Sequence, residues 1–180
     1  MQRLSRQERV ALFLDGHGER NPLGIANHDL GTFGRELEKI GIQPRPFDLA
    51  LEVRIPADAA ALVIAGPRTP LPPGAVEAIL EYVQQGGNLL WLRDPDEPAV
   101  LQQPLAAVLG IAFLPGVVVD PGTPSLGIKN PAFIPIADYG PHPITEKLRA
   151  PALLPKAVAL ILRPAAGWTA TVLLESQARS

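Results

Sequence analysis

The chain contains no cysteine, which excludes disulfides, thiolate metal sites and a cysteine nucleophile together. Long apolar runs are absent too: residues 59–65 and 158–162 are strand-sized, far short of the ~18 needed to span a bilayer. No block of like charge occurs, and 16 basic against 18 acidic residues leave a formal net charge of −2. That balance excludes a basic nucleic-acid surface, so no nucleic acid partner is expected. Residues 1–9 carry three arginines and no apolar core, so they read as a polar extension and not as a cleavable signal. Residues 176–180 form a polar tail.

Several catalytic patterns are missing as well. The stretch 16–19 (GHGE) is not a dinucleotide fingerprint, because the third glycine would fall at Asn21, and no Gly-Lys-Ser/Thr ending makes it a phosphate loop. The histidines His17, His28 and His142 have no metal-binding spacing. Residues 123–127 (TPSLG) lack the first glycine of a nucleophile elbow. No cofactor is expected.

What remains is a well-marked α/β pattern. A chain of 180 residues suits one domain, placed at 10–175, able to bury roughly 70% of its unfolded surface. Proline is plentiful, 21 residues, but it is spread between apolar elements and so marks connections. Residues 10–14 (VALFL) and 61–65 (ALVIA) read as buried strands, and 88–92 (NLLWL) as another strand. Residues 43–47 form a further strand, which Pro44 and Pro46 confine to a sheet edge. A first helix presents Leu30, Phe33, Leu37 and Ile40 on one face, capped by Asn27 or Asp29 and stopped by Gly41. A second presents Val76, Ile79, Leu80 and Val83 and closes at Gly86 and Gly87. Residues 98–109 are helical in one or two pieces, with Pro104 at a kink or at the start of a second helix. Residues 117–119 supply another strand, 121–143 a long proline-rich excursion, and 156–162 and 169–174 a closing hairpin. Alternation of strand and helix predicts a mainly parallel sheet flanked by helices.

The stretch 15–20 (DGHGER) follows the first strand, and functional groups in open α/β sheets collect at strand exits. A parallel sheet brings Asp15, His17 and Glu19 to the same edge as Arg68, Thr69, Arg93 and Asp94. This mixed-charge crevice suits a carbohydrate, a peptide or a partner loop. Two readings compete: a binding surface, or a hydrolase with His17 as general base and Glu19 or Asp94 orienting it. The structural alternative pairs Glu19 with Arg20, or has them cap the first helix, and leaves Asp94 and Asp96 as turn formers. His142, between Pro141 and Pro143, packs a rigid loop or joins the crevice; the loop 121–143 itself is a candidate docking surface.

The segments 12–20 (LFLDGHGER), 58–70 (DAAALVIAGPRTP), 82–90 (YVQQGGNLL), 116–121 (GVVVDP) and 142–145 (HPIT) resemble the soluble domain of gliding-motility-type auxiliary components of ABC transport systems. The resemblance runs over about 10–165. It implies a class I glutamine-amidotransferase-like, flavodoxin-like three-layer α/β fold without amidotransferase chemistry, since the thioester mechanism needs a cysteine. It also implies an extracytoplasmic, periplasmic domain cut from a longer membrane-anchored protein, with a permease/ATPase assembly or another membrane protein as partner. The candidate contact residues are His17, Gly18, Glu19, Arg20, Arg68, Asp94 and His142.

Overall fold

A computed structural model describes residues 9–52 and 54–176. Apart from Arg9 and Ser176, the polar extension and tail lie outside the described residues. Residues 10–175, read from the sequence as one domain, pack as two compact units that divide between Val108 and Leu109.

The first unit is built on four parallel strands, β1 (Arg9–Leu14), β2 (Ile42–Phe47), β3 (Ala61–Ala65) and β4 (Leu89–Leu92), in the order β2-β1-β3-β4. Three helices follow the pattern: α1 (Gly31–Lys39), α2 (Pro73–Gln84) and α3 (Ala99–Leu109), with Pro104 inside α3. The order matches the doubly wound arrangement of flavodoxin-like sheets. The β1–α1–β2 and β3–α2–β4 crossovers run in opposite directions across the sheet, so their common right-handedness sets α1 and α2 on opposite faces.

Strand alternation then fills both faces. Ala11, Phe13, Val63 and Ala65 are buried on one side, with Leu30, Leu37 and Ile42 packed against them. Phe33 of α1 meets Phe13 edge-on, ring centroids 6.4 Å apart. Leu12, Leu14, Leu62 and Ile64 are buried on the other side, as are Val76, Ile79 and Val83 along α2. β2 is an edge strand. The Asp15 amide donates to the Phe47 carbonyl at 3.0 Å, so Phe47, Arg45 and Gln43 turn their backbone groups toward β1. Pro44 and Pro46 therefore face the open edge, where a missing N–H costs no ladder bond and blocks further pairing.

The entry to α1 differs from the expected cap. Leu30 occupies the N-cap without any side-chain bond. Asp29 instead accepts from the amides of Asn21 at 3.2 Å and Ala26 at 3.1 Å, closing the loop ahead of the helix. Gly34 lies so close to the Pro22 carbonyl that a Cβ would collide with it, so loop and helix dock backbone to backbone. A longer-range use thus displaces the local cap.

The second unit holds two antiparallel pairs, β5 (Ile111–Phe113) with β8 (Leu160–Leu162) and β6 (Phe133–Ile136) with β7 (Ala152–Pro155). Residues 117–119 do not form the expected strand, although the Val118 amide reaches the Ala157 carbonyl at 2.8 Å. Residues 169–174 do not hairpin onto the preceding strand either; Leu174 bridges to Tyr139. The excursion 121–143 contains a short 3-10 helix, Thr123–Leu126, and β6. Its first turn is fixed by buried Asp120, which accepts the Gly122 amide at 2.7 Å.

Candidate functional site at the switch point

Connections leave β1 and β3 in opposite directions, and ligands of open α/β sheets bind where strand order reverses in this way. The loops leaving these two strands, 15–20 and 66–70, lie side by side. The Arg68 and Thr69 amides both donate to the His17 carbonyl, at 2.8 and 3.1 Å. The Thr69 hydroxyl lies 3.3 Å from the same oxygen. In the other direction the Arg20 amide donates to the Ala65 carbonyl at 3.0 Å. The opening loop is therefore clamped at both ends to the β3 exit.

Two glycines make the clamp possible. Gly16 and Gly18 adopt φ of 106° and 81°, which L side chains rarely accept. A Cβ on Gly18 would also press on the Arg68 Cβ at 3.2 Å. Between them His17 is held by Glu19. The Glu19 Oε2 accepts the His17 amide at 2.7 Å, while its Oε1 faces His17 Nδ1 at 3.4 Å. The Glu19 side chain is 1% exposed and that of His17 13%. Neither Nδ1 nor Oε1 has a hydrogen-bond partner among the described residues. Nδ1 thus points to a buried carboxylate, which leaves Nε2 as the nitrogen for any outside group.

Glu19 and Arg20 do not pair with each other. Arg20 reaches across to the exit of β4, donating to Asp94 Oδ2 at 2.5 Å and to the His28 carbonyl at 3.0 Å. Asp94 consequently has a role beyond its turn. Gly66, at φ 63°, lies beneath it, and a Cβ there would come within 2.7 Å of Oδ2. Arg68 is exposed and makes no ion pair among the described residues.

The structure thus brings His17, Gly18, Glu19, Arg20, Arg68 and Asp94 to one edge of the sheet. His142 belongs to the second unit, where its Nδ1 accepts the Ile144 amide at 3.2 Å and its carbonyl accepts the Thr145 and Glu146 amides, each at 2.9 Å. Its role there is to head a turn, as rigid packing between two prolines implies. The turn after β4 also contains a residue that sequence patterns do not single out. The Glu97 side chain is wholly buried, its Oε1 accepting the Trp91 indole N–H at 3.0 Å. Burial pushes its carboxyl from 4.5 up to about 7 and Asp94 adds to the rise, against opposing pulls from the Trp91 hydrogen bond and the Arg93 charge.

A separate open groove of about 500 Å³ runs between α2 and the segment before β3, lined by Arg54, Ile55, Pro56, Glu77, Glu81 and Tyr82. No cluster of three or more metal-ligating side chains occurs among the described residues. Nor is any helix among them long and apolar enough to cross a membrane.

No curated protein matches the chain. No solved structure matches it. The model of one protein family, described as an ABC-type uncharacterized transport system, matches residues 8–180. That match takes in both strand exits of the switch point and the second unit alike, and the chain belongs to this family of ABC transport auxiliary components.

Proposed function

We propose that the chain is a non-catalytic interaction domain of a membrane-associated ABC transport auxiliary component of the gliding-motility type, facing the extracytoplasmic side. The observation that carries the reading is the clamped loop at the switch point. It holds the His17 ring against Glu19 and ties the exposed Arg68, which has no ion-pair partner among the described residues, beside it as a pre-formed recognition edge. The fold proposed is glutamine-amidotransferase-like without its chemistry. The cysteine that such chemistry needs is absent from the sequence, and the Thr69 hydroxyl lies against a backbone carbonyl instead of the imidazole. The partner proposed is the permease/ATPase assembly or another membrane protein, recognised through a loop or peptide, with a carbohydrate as the alternative ligand class.

The second unit supports a docking role of its own. Leu160 and Leu162, two residues apart on β8 and so on one face of the ladder, are 52% and 39% exposed. Exposed neighbouring apolar side chains mark contact surfaces.

Co-isolation from detergent-solubilised host membranes tests the reading. Tagged wild-type chain is expected to retain subunits of an ABC transport system, and Arg68→Glu to reduce that retention at least tenfold. Equal retention by Arg68→Glu, with loss in Leu160→Asp, would move the contact to the second unit and overturn the assignment to the switch point.

A further inference from the structure

One sheet edge of this chain is blocked and another is left open. The edge of β2 presents Pro44 and Pro46, which have no N–H to offer a further strand. β8 carries no such guard: residues 157–162 (AVALIL) contain neither proline nor a charged side chain. The sequence alone predicts that 169–174 folds back to cover it. That segment is held elsewhere, by the Gly140 amide on the Leu173 carbonyl at 2.9 Å and by the bridge from Leu174 to Tyr139. Gly140 also approaches the Val172 carbonyl so closely that a Cβ would collide with it, so the diversion is built into the backbone.

The register of β5 against β8 determines which groups the open edge presents. The Arg163 amide donates to the Gly110 carbonyl at 2.7 Å and the Leu114 amide to the Ala159 carbonyl at 2.9 Å. Hydrogen-bonded and non-bonded pairs alternate along an antiparallel ladder, so Ala112 and Ile161 bond each other while Leu160 and Leu162 turn their N–H and C=O groups outward. Neither outward amide has a backbone acceptor among the described residues. Paired residues share a face, which sets Leu162 beside Ile111 and Leu160 beside Phe113. Both leucines are partly exposed on that face, and two strands alone make a poor sheet.

The outward groups are symmetric about Ile161. We propose that a second copy of the chain pairs with β8 edge to edge, antiparallel, about a two-fold axis through Ile161. Leu160 of each copy then stands opposite Leu162 of the other, and their amides and carbonyls bond in both directions, leaving no outward group at either position unmet. The two apolar faces join into one sheet of order β5-β8-β8-β5. Arg163 falls opposite Ala159, so no like charges meet, and Pro164, without an N–H, ends the ladder. The pairing rests on the docking role given above to Leu160 and Leu162 and supplies its occupant. It uses no residue of the switch point.

The absence of cysteine makes the register directly testable. Leu160→Cys, Ile161→Cys and Leu162→Cys are oxidised in the full chain, singly and in mixtures. The two-fold sets Ile161 opposite itself as a non-hydrogen-bonded pair, with Cα atoms about 4.5 Å apart, inside the range of roughly 4.4–6.8 Å that a disulfide spans. Ile161→Cys is therefore expected to form a disulfide dimer at least tenfold faster than Leu160→Cys or Leu162→Cys alone. Mixing Leu160→Cys with Leu162→Cys should yield the mixed dimer ahead of either homodimer. Equal rates at all three positions, or fastest dimerisation of Leu160→Cys or Leu162→Cys alone, would overturn the pairing. Sedimentation of the wild-type chain should show the mass rising from monomer to dimer with concentration, and Leu162→Pro, which deletes an outward donor, should move that rise to at least tenfold higher concentration. A wild-type chain that stays monomeric throughout, or a rise that Leu162→Pro leaves in place, contradicts the two-fold, the former leaving the edge to a strand of another protein. None of these measurements involves a transport subunit, so the pairing can fail while the switch-point assignment stands, and the reverse.

Discussion

Raising the pH from about 4.5 through about 7 should destabilise the first unit, and Glu97→Gln should remove that part of the dependence. The sign follows from linkage. The Glu97 carboxyl sits at about 7 when folded against an ordinary 4.5, so the folded chain holds a proton that the unfolded chain has already released. Its contribution is complete below 4.5 and is lost as the pH rises through 7. A tenfold difference in acidity between the folded and unfolded chains is worth roughly 1.4 kcal/mol, so the loss is on the order of 3 kcal/mol. Urea midpoints followed by Trp91 emission in Trp168→Phe, from pH 4 to 8, measure it. A wild-type profile parallel to that of Glu97→Gln would contradict the assignment.

Phe13→Ala should be the most damaging single truncation in the sheet. Phe13 is buried on the central strand, with β2 and β3 on either side and the Phe33 ring against its own. Removing a buried phenylalanine side chain costs about 3–5 kcal/mol, because the lost transfer energy adds to an unfilled cavity. Phe33→Ala, at the partly exposed end of the same ring pair, should cost clearly less. Thermal unfolding of both variants checks the order, and an equal loss would mean that the α1 face carries more of the core than its burial implies.

The parts of this architecture that local pattern dictates were legible in the sequence. An uninterrupted apolar run specifies a strand covered on both faces, as in β1 and β3. Prolines two residues apart specify an edge strand, because both must present their missing donors to the same side, as in β2. Local signals misled where a distant partner took them over. Asp29 looks like a helix cap but closes the preceding loop, and residues 117–119 are β-branched yet lie outside any ladder.

The site shows the same division. That 15–20 and 66–70 meet follows from the parallel sheet, whose strands all exit on one edge. The Arg20–Asp94 bond joins residues 74 apart, and no spacing rule encodes it. Glu97 was invisible for a further reason. In sequence it ends a charged run that reads as solvated turn, and its hydrogen bond to the indole N–H of Trp91 is visible only in the fold.

If the switch-point loop is the face this domain turns to its transport system, photo-crosslinking in the native host will show it most directly. A photoreactive residue is placed at position 68 and, as control, at position 77 on α2. Adducts to a membrane subunit of the ABC transport system are expected from position 68 and none from position 77. Adducts from position 77 alone, or from neither position while the domain still co-isolates with the membrane subunits, would contradict the assignment.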